Sequence, residues 1–252
     1  MNPRYLLLVL AAVLATLVTP QVAAQSSSSQ WQFSIAPYLW AAGMDGTMTV
    51  AAVEEEIDVP FSDVISNLDF ALMGHFDMRN DRWVLSSDLI FVDLGQSEDV
   101  GAGTVTAGID MTLLELVGGY RVSPAVALLA GARWVDMGAS LRYTGELIDP
   151  DADVGKSWID PLVGVNVFAP LSDRWWIGLR GDVGGFGVGS ELTWQAYADV
   201  GFRASGLVSI ILGYHALDMD YEDGDGLHYF GLDLMISGPQ LGVVFTLSLI
   251  HI

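Results

Sequence analysis

The sequence predicts an all-β chain: a transmembrane up-and-down antiparallel β-barrel of ten strands. Three observations point there. Hydrophobic residues make up 52% of the chain and mean hydropathy is +0.43, yet beyond the N-terminus no apolar run reaches the ~20 residues a spanning helix needs. A membrane barrel reconciles the two, because its outward apolar residues alternate with inward polar ones. Strict alternation is indeed present, and short and long connections alternate along the chain, as they do in barrels with short periplasmic turns and longer extracellular loops.

The elements follow in order. Met1–Arg4 carries one positive charge, Tyr5–Val18 is continuously apolar, and Pro20 precedes small residues at Val22 and Ala24. This is the pattern of a secretory signal peptide, residues 1–24, cleaved before Gln25; the Ser-rich 25–30 is then a flexible mature N-terminus and 31–249 the barrel. Strands are expected near 31–43, 69–79, 82–95, 104–122, 125–143, 157–169, 174–184, 190–203, 207–221 and 227–249. In Glu191–Arg203, Leu192, Trp194, Ala196, Ala198, Val200 and Phe202 alternate with Thr193, Gln195, Tyr197, Asp199 and Arg203, a period of two that gives a strand one apolar face. Asp69–Arg79 and Gln240–Leu249 repeat the pattern. Asn80-Asp81, Ser123-Pro124, Ser172-Asp173 and Ser205-Gly206 supply short turns. Gln96–Gly103, Thr144–Lys156, Gly185–Gly189 and Glu222–Gly226 are the longer connections at the other end.

Ten strands make Met44–Leu68 one long excursion, read as a small hairpin followed by a helical turn at Ser62–Leu68. They also make Gly238-Pro239 a bulge inside the last strand, since proline removes a ladder donor. Twelve strands, with both segments split, is the alternative. Trp83, Phe168, Trp175, Trp176 and Phe202 fall beside the short turns and Trp40, Phe91, Trp134, Trp158 and Trp194 toward the loops, as two interfacial aromatic girdles would.

Charge is one-sided, with 31 acidic against 10 basic residues, which excludes nucleic-acid binding because phosphate neutralisation needs a basic surface. The acids gather in Glu54–Asp58, Glu98–Asp99, Asp149–Asp153 and Asp218–Asp225. Without cysteine neither a disulfide framework nor a thiolate metal site can form. No cofactor is expected.

Parity turns a mixed-sign set inward: His75, Asp77, Arg79, Asp88, Glu115, Arg121, Arg133, Asn166, Arg180, Asp182, Gln195, Tyr197, Asp199, Arg203 and His215. In the narrow lumen of ten strands these should pair across the barrel, since unpaired buried charge is costly. A plugged lumen is therefore the expectation and a narrow solute channel the alternative. A surface hydrolase is the third reading. Gly187-Val188-Gly189-Ser190 lacks the spacing of a nucleophile elbow, and His215, expected inward near the outer rim, has no carboxylate assignable to it. Asp218, Asp220, Glu222, Asp223 and Asp225 share the composition of a calcium loop without its twelve-residue register. They read as a solvated hairpin tip, with divalent-cation bridging to lipopolysaccharide phosphates as the sharper alternative; Asp218 and Asp220 have the outward parity.

Ile35-Ala36-Pro37-Tyr38-Leu39-Trp40-Ala41-Ala42-Gly43-Met44-Asp45-Gly46, Trp158-Ile159-Asp160-Pro161-Leu162-Val163-Gly164, Gly213-Tyr214 and Gly238-Pro239-Gln240-Leu241-Gly242 together resemble a largely uncharacterised group of proteobacterial outer-membrane β-barrel proteins. The resemblance spans nearly the whole mature chain. It implies a fold and a Gram-negative outer-membrane location, with outer-membrane lipids, lipopolysaccharide and, during insertion, the barrel-assembly machinery as partners; it implies no activity. Such proteins usually finish on an aromatic residue read by that machinery, whereas this chain ends Leu249-Ile250-His251-Ile252, which shifts the expected signal to Phe245 and Leu249. The sequence thus predicts a non-enzymatic outer-membrane barrel with a structural or interaction role.

Overall fold

The computed structural model describes residues 30–50, 53–100, 103–145 and 151–248. The expected signal segment 1–24, residues 25–29 of the mature N-terminus and residues 249–252 lie outside them. Twelve strands form one antiparallel sheet: β1 (Gln32–Trp40), β2 (Gly43–Val50), β3 (Val53–Val59), β4 (Leu68–Arg79), β5 (Trp83–Val100), β6 (Gly103–Arg121), β7 (Val126–Gly145), β8 (Asp151–Pro170), β9 (Trp175–Gly185), β10 (Leu192–Arg203), β11 (Val208–Asp223) and β12 (Phe230–Ser248). β1 and β4–β12 close on themselves through the β1–β12 pairing, so the wall has ten strands, while β2 and β3 continue the sheet from β12 above β1. A short helix α1 (Phe61–Ser66) returns the chain to β4. The Met44–Leu68 excursion is thus a hairpin and a helical turn, and the helix begins one residue earlier than expected.

Gly238-Pro239 is not a bulge. The β11–β12 register runs unbroken from Val208↔Phe245 to Asp223↔Phe230, and on the other side Gln240↔Trp40 and Ser237↔Gly43 keep one register across the gap. Proline acts there by its missing donor. Pro239 accepts the Ala41 N–H at 2.8 Å but has no N–H to return, so the ladder lapses and one long strand divides into β1 and β2. Gly238 admits the Ala41 carbonyl, which would lie 2.0 Å from any Cβ placed there.

The four short turns share one device. Asn80 Oδ1 accepts the N–H groups of Arg82 and Trp83, and the hydroxyls of Ser123, Ser172 and Ser205 do the same for the residues two and three positions on. A turn-opening side-chain oxygen that satisfies two backbone donors fixes a tight reversal. At the other end Gly185–Gly189 is a turn and the Glu222–Gly226 connection leaves the strand after Asp223, but the other two expected loops are largely strand among the described residues. β5 and β6 pair out to Val100↔Gly103, and β7 and β8 pair out to Arg142↔Asp151. Polarity misled here, because strands that rise above an apolar belt stay hydrogen-bonded to each other while both faces meet water.

Along β6, Leu114, Leu116 and Tyr120 are exposed while Leu113, Glu115 and Val117 are buried. The same split round the wall gives an outer belt that includes Leu72, Leu128, Val163, Leu212 and Leu241. Among the described residues no helix is long and apolar enough to cross a membrane; the strands would do so. The aromatic girdles are borne out in part, and Phe91, Trp134 and Trp194 do take outward positions toward the loops. Trp83, Trp175 and Phe202 do sit on the outer face near the turns, with Trp83 against Tyr120 and Trp175 against Phe202. Trp176 instead points inward over Gly201 beside Phe168. Trp40 and Trp158 are buried inside the loop end. Their strands place them at inward positions, and parity decides over proximity to an interface.

Candidate functional site: a closed lumen and an acidic rim

The interior is filled by three groups of side chains, two apolar and one polar. At the loop end lies an apolar cluster of Trp40, Ile90, Leu113, Leu217, Met219, Leu234 and their neighbours, with Met44, Met48, Met73 and Met137 packed against it. A smaller one, Val84, Val117, Ala127, Leu129 and Leu162, lies elsewhere in the lumen. Between neighbouring strands the registers His75↔Asp88, Asp88↔Glu115, Glu115↔Arg133 and Arg133↔Asp160 set one row of polar residues across β4–β8.

Charge in this middle zone is matched. Fully buried Arg133 donates to Glu115 Oε2 at 2.9 Å, to Asp182 Oδ1 at 2.8 Å and to Thr193 Oγ1 at 3.1 Å. Arg180 lies 2.5 Å from Glu115 Oε1 and donates through Nε to Asp182 Oδ2 at 2.9 Å. Two guanidiniums thus face two carboxylates, and Gln195 spans from Asp182 to His215. Tyr197 lies under the Arg180 guanidinium. On the far wall His75 Nδ1 is 2.9 Å from Asp88 Oδ2, whose other oxygen accepts the Tyr38 hydroxyl at 2.7 Å. Asp77 accepts from Ser86, and Asp199 from Gln240. The four central ions are tolerated in a low dielectric because each meets two of opposite sign, while Asp199 is held by a neutral amide.

Several expected lumen residues do something else. Arg121 and Arg203 have inward parity but end beyond the wall, where they donate to the carbonyls of Asn80 and Pro124 and of Asp173; they tie down turns. Arg79 sits at the same end, donating to Gln32 and lying over Phe168. Asn166 takes the inward position between Ala127 and Arg180. His215 is not at the rim: it is buried, stacked on Trp40 with ring centroids 4.1 Å apart, and its Nε2 meets Gln195. Asp160 was not expected. Fully buried, it accepts the Trp158 indole N–H, the Ser190 N–H and the Ser190 hydroxyl, pinning the β9–β10 connection to β8. Its position two residues from Trp158 and Leu162 was the available signal.

β8 pairs with β9 only from Leu162 onward, because β9 ends at Gly185, one residue past the Leu162↔Gly184 pair. Above the short β9–β10 hairpin the rim therefore has a notch between β8 and β11, an open cleft of about 630 Å³ lined by Trp134, Trp158, Val188, Glu191 and Tyr221. Lys156 bridges it by donating to Asp223 at 2.5 Å. That partnership lowers the Asp223 carboxyl below its ordinary range and raises the Lys156 ammonium.

The outer face of the rim contrasts with the lumen. Across β11, β12, β2 and β3 the registers give three outward rows: Asp218, Met235, Asp45, Asp58; Asp220, Asp233, Thr47, Glu56; and Glu222, Gly231, Thr49, Glu54. Asp45 faces Asp58 and Asp220 faces Asp233. Partial burial, then Asp233, Glu222 and Glu191, raise the Asp220 carboxyl. The candidate calcium residues do not converge: Asp218 and Asp220 lie in the strand, Asp223 is held by Lys156, and Asp225 precedes a single 3-10 turn. Among the described residues no group of three acidic or histidine side chains could hold a metal ion.

The wall and its closure define an outer-membrane type of β-barrel, and one solved structure shares that fold. The outer membrane protease OmpT from Escherichia coli superposes with a TM-score of 0.57 at 7% identity, covering 90% of this chain and 99% of OmpT. The translocator domain of autotransporter NalP from Neisseria meningitidis matches at 14% identity with a TM-score of 0.40, over 97% of this chain and 95% of that one. Ail of Yersinia pestis matches at 9% and 0.37, over 88% and 100%. No protein-family model and no curated protein matches the chain.

Proposed function

We propose that this protein is a non-conducting, non-enzymatic barrel of the Gram-negative outer membrane that acts through its exposed rim. The observation that carries this reading is the buried Arg133, Arg180, Glu115 and Asp182 network, which occupies the mid-lumen with matched charge beneath the apolar cluster at the loop end. Ions would have to displace both. A solute path is normally lined by polar groups in contact with water, whereas here Arg133, Asp182 and Glu115 are almost wholly enclosed. The outer apolar belt supports residence in lipid. Among the described residues His215 has no nucleophile beside it to serve as a catalytic base: its ring meets Gln195, Trp40 and Tyr197.

Planar-bilayer recording of the refolded chain tests this directly. The closed reading expects no stable unitary current steps across the usual voltage range. Reproducible steps from the native protein would overturn it in favour of a narrow channel.

A further inference from the structure

Among the described residues β3 stands at the end of the sheet order, paired with β2 on one side and with no strand on the other. Such an edge presents a row of unpaired N–H and C=O groups, a template for another strand. The sequence of this one, Val53-Glu54-Glu55-Glu56-Ile57-Asp58-Val59, gives its two faces different chemistry. Register with β2 sends Glu54, Glu56 and Asp58 outward, opposite Thr49, Thr47 and Asp45. Glu55, Ile57 and Val59 share the face of inward Met48, Gly46 and Met44, and Ile57 packs against the apolar cluster of the lumen. The three outward carboxylates are exposed and continue the acidic rows of β11, β12 and β2, where no basic side chain interrupts them.

We infer that the β3 edge captures an extended, cationic segment of a partner protein by strand addition, the partner's Lys or Arg residues alternating with apolar ones. Main-chain hydrogen bonds to the free edge would give affinity, and alternate side chains would give specificity. A strand laid along β3 places every second residue beside Glu54, Glu56 or Asp58 at cross-strand spacing, where opposite charges stabilise. Its intervening residues meet Ile57 and Val59. The same geometry disfavours a second copy of this chain, because antiparallel pairing of β3 with itself sets carboxylate against carboxylate. This deepens the proposed rim function and rests on it for the partner class. Closure of the lumen is a separate matter, read by conductance alone.

The test uses the full chain refolded into zwitterionic lipid vesicles and a fluorescent synthetic peptide of alternating lysine and valine, matched to β3 in length. Anisotropy should report saturable binding that weakens by about tenfold or more in the Glu54→Gln, Glu56→Gln, Asp58→Asn variant. Those side chains are exposed, so the variant should keep the heat-modifiable gel mobility of the native barrel. The same peptide N-methylated at alternate amides keeps its charge and loses its ladder donors, and it should fail to bind. Equal binding of the N-methylated peptide would reduce the effect to charge alone and overturn strand addition. Unchanged affinity of the triple variant would overturn the assigned edge. A dimer of the native chain that the peptide cannot dissociate would assign the edge to a second copy instead.

Discussion

The middle of the lumen and the outer face of the rim both concentrate carboxylates, and they treat them in opposite ways. Inside, Glu115 and Asp182 each touch both Arg133 and Arg180. Outside, Asp220 faces Asp233 and Asp45 faces Asp58. The difference is dielectric. An unpaired ion in the interior costs several kcal/mol, whereas water screens like charges at a rim so that their repulsion is small. Arg133 and Arg180 stand where the interior requires them, and the outward rows of the rim stay anionic.

The comparison is broken most forcefully at Arg133. Arg133→Ala leaves two carboxylates buried without it and should destabilise the barrel by about 3–5 kcal/mol, read as equilibrium unfolding from lipid vesicles. Adding Asp182→Asn alone, which leaves Arg180 paired with Glu115, should recover a large part of that loss. No recovery would mean that packing, and not charge, is what Arg133 supplies.

A second substitution tests the wall between the two regions. Leu116 follows buried Glu115 and is exposed on the outer belt. Leu116→Arg should cost ~2–4 kcal/mol if it lies near the bilayer midplane, by the same unfolding assay. A harmless substitution would place Leu116 outside the apolar zone and move the assigned boundary of the belt.

The smallest effect concerns pH at the rim. Asp220 has a raised carboxyl, so the folded state holds that proton more tightly than the unfolded chain. Its ionisation therefore costs stability, and the cost disappears as pH falls through its raised value. Asp223 is lowered by Lys156, and its contribution, present above the ordinary carboxylate range, is lost as pH falls through the depressed value. Mild acidification should thus stabilise the rim before stronger acid weakens it. In Asp233→Asn the first rise should shrink and the later fall should remain, seen in the unfolding midpoint against pH.

Much of the site was legible because a barrel wall has only two sides. A period of two assigns Glu115, Arg133, Arg180, Asp182, Gln195 and His215 to one of them, and the structure places all six inward. Parity cannot give height. Arg121 and Arg203 share the inward phase but end beyond the wall on turn carbonyls, and His215 sits beneath Trp40 rather than at the rim. Asp160 stayed hidden because its partner, Ser190, is thirty positions away across a pairing that the sequence does not display.

By itself the sequence determined the fold class, the count of wall strands, the short turns and the sign of the surface charge, since periodicity, turn-opening side chains and composition are local properties. Only the tertiary structure decided which lumen residue meets which, that Pro239 divides a strand rather than bulging it, and that β3 is left with a free edge. Those depend on the stagger between distant strands, and stagger is fixed when the whole barrel closes, not by any one segment of it.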